Sequence, residues 1–237
     1  MTGSWVVPGK RRTKPAASKV MARTNPEPGI TFTTKRPSTS LTWRDATYSK
    51  KLFLIGICFA LMAIPASLLD LPVRDFIKTL PIGGDINQEI RAFGQFGQGG
   101  FLIVILASVV VFYERGQRRF SQLVRPWILA GIACHIIKGQ LLRIRPKHKV
   151  GSDFIWNADL PEISQFALDS FPSAHTAGAV VTSAWLIFMF PRLKNLWISL
   201  ALIVGLSRVI LNHHWISDVA AGAALGCLIS SFFWRKQ

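Results

Sequence analysis

Apolar residues in this chain come in runs too continuous for an alternating strand or for the one-sided stripe of a soluble helix. The runs are "LFLIGICFALMAIPASLL" (52–69), "GFLIVILASVVVFY" (100–113), "PWILAGIACHIIKGQLL" (126–142), "PSAHTAGAVVTSAWLIFMF" (172–190), "LWISLALIVGLSRVIL" (196–211) and "ISDVAAGAALGCLISSFFW" (216–234). A hydrocarbon core about 30 Å thick takes roughly 20 residues of helix. Several runs are shorter, so polar helix ends at the interface must complete them; the second can extend back through the Gly-rich "FGQFGQGG". The pattern predicts an all-α fold, a polytopic membrane helical bundle of about six transmembrane helices over 51–237. Between the first two runs, Ile82, Ile86, Ile90 and Phe93 recur near helical spacing. They suggest a helix lying on the membrane surface, with a simple connecting loop as the alternative.

Composition agrees, with half the residues apolar and 17% charged. Charge adds direction. The chain carries +16, and between Lys10 and Lys51 eleven Lys and Arg face only Glu27 and Asp45. Residues 1–50 lack any helical or strand period and read as a disordered basic tail. A secretory-type apolar core does not precede residue 52; an organelle-targeting segment is an alternative, though an amphipathic helix is missing. With six spans, the tail, 114–125, "PRLKN" (191–195) and "RKQ" (235–237) share one side, and each is basic. The positive-inside rule then puts both termini in the cytoplasm, and in a bacterial inner membrane the opposite side is the periplasm. Attraction of a basic juxtamembrane segment to anionic lipid accounts for the charge, and no nucleic acid partner is expected. Cys58, Cys134 and Cys227 lie in apolar runs without metal-ligand or disulfide spacing and read as small buried residues.

Against that apolar background, three polar groups gather on the outer side. In "KGQLLRIRP" (138–146), Lys138 and Arg145 are seven apart and share a face if the helix continues. Lys138 sits deep in an apolar run, where an ionisable side chain needs a cavity and a partner. Arg143, Lys147 and Lys149 read instead as interfacial side chains snorkelling from a helix end. In "FPSAH" (171–175), Ser173 is an N-cap residue opening an apolar helix whose N-terminus favours an anion, and His175 at that mouth can donate a proton. In "SRVILNHHWISD" (207–218), His214 and Asp218 are four apart. A carboxylate on one imidazole nitrogen fixes the tautomer and frees the other nitrogen as a nucleophile. Arg208 offers a planar fork to phosphate or carboxylate. His213 has no such partner and reads as a neighbour.

These cations, the helix N-terminus and the histidines suit a tetrahedral oxyanion, and phosphoryl transfer needs mainly positioning and charge neutralisation. Zinc on the histidines and Asp218 is the rival reading, opposed by three fixed cations nearby. The segments also carry a likeness. Lys138 to Arg145-Pro146, then Pro172-Ser173-Ala174-His175, then Ser207-Arg208, His214 and Asp218, resemble in order and spacing the three-part signature of the type 2 phosphatidic acid phosphatase superfamily. The signature spans 138–218, and the six-span layout extends it over about 51–237.

The resemblance implies that His214 attacks phosphorus to form a phosphohistidine, oriented by Asp218, and that His175 protonates the leaving group. It implies that Lys138, Arg145, Arg208, Ser173 and the backbone near Ala174 hold the phosphate oxygens, with no metal and no cofactor. One departure is visible: Ala174 stands where the family usually has glycine, which keeps the backbone donor but adds a methyl. The expected function is an integral membrane lipid phosphatase acting on a phosphate monoester or diphosphate of a lipid head group. A lipid-linked phosphotransferase using the same intermediate and a non-catalytic lipid-phosphate binder are the alternatives. The loop 147–170, with Phe154 and Trp156, is expected to cover the pocket.

Overall fold

The structure is a computed structural model, described for residues 43–112, 116–148, 154–155 and 165–233. Nine α-helices occur among the described residues: α1 Trp43–Ala66, α2 Asp70–Thr79, α3 Gly84–Gly94, α4 Gly99–Phe112, α5 Gly116–Gln140, α6 Gln165–Leu168, α7 Ala174–Met189, α8 Lys194–Ile210 and α9 Ile216–Phe233. The only sheet described is a short antiparallel pair, β1 Leu142–Arg143 with β2 Phe154–Ile155.

α7 is the central post. It packs against α5, α8 and α9, and Ala177, Ala179, Val181, Ala184 and Trp185 on it are buried. Small residues let the backbones meet there, since dispersion and close packing, not water exclusion, hold helices together in lipid. α9 carries Gly222 and Gly226 one turn apart, facing α7. A Cβ on Gly226 would lie 2.8 Å from the Ala177 carbonyl oxygen, and one on Gly222 would collide with the Ser173 carbonyl. α1 lies along α9 and seals the other side. Outward, large apolar side chains such as Leu61, Ile64, Ile103 and Leu206 are exposed, as a lipid-facing surface requires. Two polar side chains of α1 find carbonyls inside the bundle: Tyr48 donates to Ala184 at 2.8 Å and Ser49 to Ser231 at 2.7 Å.

Among the described residues, three helical stretches have the length and hydropathy to cross a membrane: Ala46–Thr79, Pro191–Ile210 and Ile216–Phe233; Ala174–Met189 is apolar but shorter. The protein is a helical membrane protein. Several expectations are corrected. Residues 43–50, assigned to the basic tail, form the first turns of α1, with Ser49 buried against α9; residues 1–42 lie outside the described residues. "FGQFGQGG" does not lengthen the second span. α3 ends at Gly94, a 3-10 turn covers Gln95–Gly97, and Gln98 is extended before α4 restarts. The 70–95 segment is two helices, broken around Pro81 where the missing amide stops α2. Cys58 is exposed, whereas Cys134 and Cys227 are buried. Of the loop 147–170, residues 149–153 and 156–164, with Trp156, lie outside the described residues.

Candidate active site

The ends of α5, α7, α8 and α9 meet at one end of the bundle, and local sequence explains each. α8 stops because Asn212 takes a left-handed conformation (φ 54°), which Asn tolerates better than most residues. The amides of His213 and His214 then both donate to the Arg208 carbonyl, at 3.0 and 3.2 Å. That reversal swings His214 under the start of α9. α9 opens with a carboxylate at its third position: Asp218 Oδ2 accepts the Trp215 amide at 2.9 Å, the return half of a capping box. α7 opens on Ser173, whose Oγ accepts the Thr176 amide at 3.4 Å, so the expected N-cap is present. Phe171–Pro172 just before it is a cis peptide.

His214 is buried, with Nδ1 2.7 Å from the Ser170 carbonyl oxygen and 3.7 Å from Asp218 Oδ2. A carbonyl only accepts, so Nδ1 carries the proton and Nε2 keeps its lone pair. The sequence expected Asp218 to do this orienting. The direct bond comes from Ser170 instead, and Asp218 stands behind it as a charge. Burial pushes His214 down to about 4, against the pull of Asp218 and with help from Arg145 and Lys138. His213, half-buried, is also pushed down to about 4, by burial and then by Arg208 and Arg145. Both rings are neutral at pH 7.

Lys138 and Arg145 do converge, though not along one helix face. α5 ends at Gln140 and the chain continues extended through β1. The two cations meet at the Asp169 carbonyl, Lys138 Nζ at 2.5 Å and an Arg145 nitrogen at 3.2 Å. Arg145 also donates to the His213 carbonyl at 3.3 Å. Arg208 is buried near the end of α8, donates to Ser207 Oγ at 3.2 Å, and passes directly over Gly94. His175, in the first turn of α7, has Nε2 2.6 Å from the Gln98 amide nitrogen. Ala174 is the first residue of α7.

The largest correction is Arg143. It does not snorkel: it is 1% exposed, more deeply buried than Lys138 or Arg145. Its guanidinium bonds Asp218 Oδ1 through one nitrogen and Asp70 Oδ2 at 2.6 Å through the other, and donates to Ser217 Oγ at 2.8 Å. Trp215 covers it, with the guanidinium carbon 5.4 Å from the ring centroid. Asp70 also accepts the Ser217 amide at 3.1 Å and the Ser217 hydroxyl at 2.6 Å. Sequence reasoning therefore missed Asp70, Gln98, Arg143, Asp169, Ser170 and Ser217. A partial signal existed: Asp70 is an acid directly after an 18-residue apolar run.

Metal binding finds little support in the donor set. Asp218 Oδ1 is taken by Arg143, and Oδ2 by the Ser170 hydroxyl at 2.5 Å and the Trp215 amide. Among the described residues no group of three or more His, Cys, Asp or Glu is arranged to hold an ion. The arrangement is a neutral imidazole with a defined tautomer, a buried carboxylate behind it, and three cations around it, which suits an oxyanion.

Comparison with known proteins agrees. The PAP2 superfamily model matches residues 122–237, which include all three signature segments. Lipid A 1-phosphatase of Rhizobium etli is 28% identical over 149 residues, covering 55% of this chain. The chain spans 62% of that relative's length. Decaprenylphosphoryl-5-phosphoribose phosphatase of Mycobacterium tuberculosis is 32% identical over 152 residues, covering 60% of this chain and 75% of the relative. The crystal structure of Aquifex aeolicus LpxE shares the fold, with a TM-score of 0.57 at 22% identity over 71% of this chain and 96% of that one. Signature, fold and relatives converge: the chain belongs to the PAP2 superfamily.

Proposed function

We propose that this protein is an integral membrane lipid phosphatase that works through a phosphohistidine on His214. The observation that carries this reading is the His214 ring itself: buried, neutral, with Nδ1–H on the Ser170 carbonyl and Asp218 behind it. In the first step His214 Nε2 bonds to phosphorus as the phosphorus–oxygen bond to the lipid breaks. The leaving oxygen takes a proton from His175. A bound phosphate dianion favours the His175 imidazolium, and a flip of the Gln98 amide turns its oxygen toward the Nε2–H. Water then attacks phosphorus as the now neutral His175 takes its proton, the phosphorus–nitrogen bond breaks, and inorganic phosphate leaves with the His214 ring and the His175 imidazolium restored. Lys138, Arg145, Arg208, Ser173 and the amides around Ala174 hold the equatorial oxygens.

Lipid is the substrate class that suits this surface. A largely apolar groove of about 490 Å³ between α1, α5 and α9 reaches Phe171, Pro172 and Ser217 beside the site, giving tails a path while the head group meets the cations. The basic flanks favour both termini in the cytoplasm of a bacterial inner membrane and the site on the periplasmic face. The experiment is phosphate release by detergent-solubilised protein. The panel is phosphatidic acid, phosphatidylglycerophosphate, undecaprenyl diphosphate, lipid A and a polyprenylphosphoryl pentose phosphate. Release from one class supports the reading; no release from any overturns it.

Gly94→Ala tests the Arg208 assignment. A Cβ there would collide with the Arg208 guanidinium, which is the free end of a side chain and can move aside. The unfolding midpoint should stay close to wild type. KM should rise about tenfold, as when one charge-assisted hydrogen bond to phosphate is weakened. An unchanged KM would remove Arg208 from the phosphate site.

A further inference from the structure

Asp70 lies outside all three signature segments, at the first residue of α2, yet it is 1% exposed and tied into the back of the site. Three observations define its setting. Arg143 lies between Asp70 and Asp218, with one guanidinium nitrogen on each carboxylate. Asp70 accepts the amide and hydroxyl of Ser217 at the N-terminus of α9, so it also faces that helix's positive end. Asp218 stands 3.7 Å from Nδ1 of His214 on its other side.

The charges decide what this arrangement does. Asp218 alone with Arg143 would be a neutral pair, leaving no net negative charge behind the imidazole to set against Arg145 and Lys138. With Asp70 present, two carboxylates meet one guanidinium among the described residues, and the cluster is left negative. We propose that Asp70 is a positioning residue for His214: by engaging the far side of Arg143 and the α9 terminus, it leaves the Asp218 carboxylate's charge to the His214 ring.

This rests on the phosphohistidine reading. There, the ring gains positive charge as the phosphorus–nitrogen bond forms, because Nδ1 keeps its proton while Nε2 gives its lone pair to phosphorus. A negative cluster behind the ring stabilises that state more than the neutral ground state, so its effect falls on kcat and not on lipid binding. The geometry also fixes register. Asp70 pins the start of α2 to α9, and the β1 residue Arg143 to both.

The test uses the full chain in detergent, with activity normalised to monodisperse protein. Asp70→Asn keeps the shape and removes the charge; it should lower kcat and the rate of phosphohistidine formation about 10- to 100-fold, with KM within about twofold. Asp70→Asn/Arg143→Met removes the guanidinium as well, returns the cluster to one negative charge, and should recover kcat to within about fivefold of wild type. Full kcat in Asp70→Asn, or a double variant no faster than the single, overturns the proposal. Should Asp70→Asn fail to fold, the double variant decides alone: kcat near wild type supports the charge account, and a loss of about 100-fold or more overturns it. Wild-type protein that releases no phosphate overturns the phosphatase reading and this inference with it; an active wild type with an unaffected Asp70→Asn overturns this inference only.

Discussion

His214→Ala is expected to lower phosphate release by about 10⁴-fold or more while the protein still folds and inserts. The two halves of that outcome have separate causes. Chemistry fails because no other described side chain near Lys138, Arg145 and Arg208 combines a neutral lone pair with a carboxylate behind it. His213 is neutral too, but what ties it to the site is its backbone carbonyl, which accepts from Arg145. Folding survives because the ring's one strong bond is to the Ser170 carbonyl, and an acceptor left facing a small cavity costs about 1–3 kcal/mol. Size-exclusion behaviour and the thermal midpoint check the second half; phosphate release and trapped phosphoenzyme check the first. Turnover within tenfold of wild type would dismiss His214 as the nucleophile.

The acid side of the pH profile follows from the same ring. Free imidazole titrates near 6.5, and burial lowers His214 to about 4. The neutral form, which is the nucleophile in the proposed mechanism, is therefore present throughout the neutral range, and kcat/KM should fall only as pH drops through about 4. An acid limb near 6.5 assigned to this ring would mean that the site is wetter than its burial implies.

What the sequence made legible was whatever depends on residue type at short range. Apolar runs marked helices, Ser173 marked the start of α7, and the spacing of Arg208, His214 and Asp218 marked one turn between two helices. What escaped was set by distant contacts. Arg143 and Arg145 are two residues apart in the same basic run, and nothing local says that one meets Lys138 at the Asp169 carbonyl while the other lies beneath Trp215 between two carboxylates. The extended backbone of β1 after Gln140 makes that placement possible, and a helical reading of 138–145 hid it. Asp70 and Ser217 meet across 147 positions of sequence. Asp169 and Ser170 reach Lys138, Arg145 and His214 through their carbonyls, which no residue type announces; the Ser170 hydroxyl on Asp218 is the one side-chain contact of the two described at the site.

Arg143→Ala is accordingly expected to destabilise the protein by about 3–5 kcal/mol, the cost of stripping the partner from buried charge. The comparison that decides is with the snorkelling arginine the sequence suggested, whose removal from an interface would stay within about 0.5 kcal/mol. Asp70 and Asp218 are 1% and 0% exposed, so neither can turn to water when the guanidinium goes. Other donors remain: Ser217 for Asp70, Ser170 and the Trp215 amide for Asp218. They satisfy lone pairs but supply no positive charge, and two carboxylates would face each other across the space left behind. One would have to take up a proton, or the joint between α2, β1 and α9 would open. Arg143→Lys should recover little, because an ammonium on a flexible stem cannot present two nitrogens in a plane to two acids while lying against Trp215. Thermal unfolding in detergent measures the loss directly, and an unfolding midpoint unchanged by Arg143→Ala would return Arg143 to the interface. The same variant separates stability from chemistry: what activity remains in its folded fraction reports whether His214 still has Asp218 at its back.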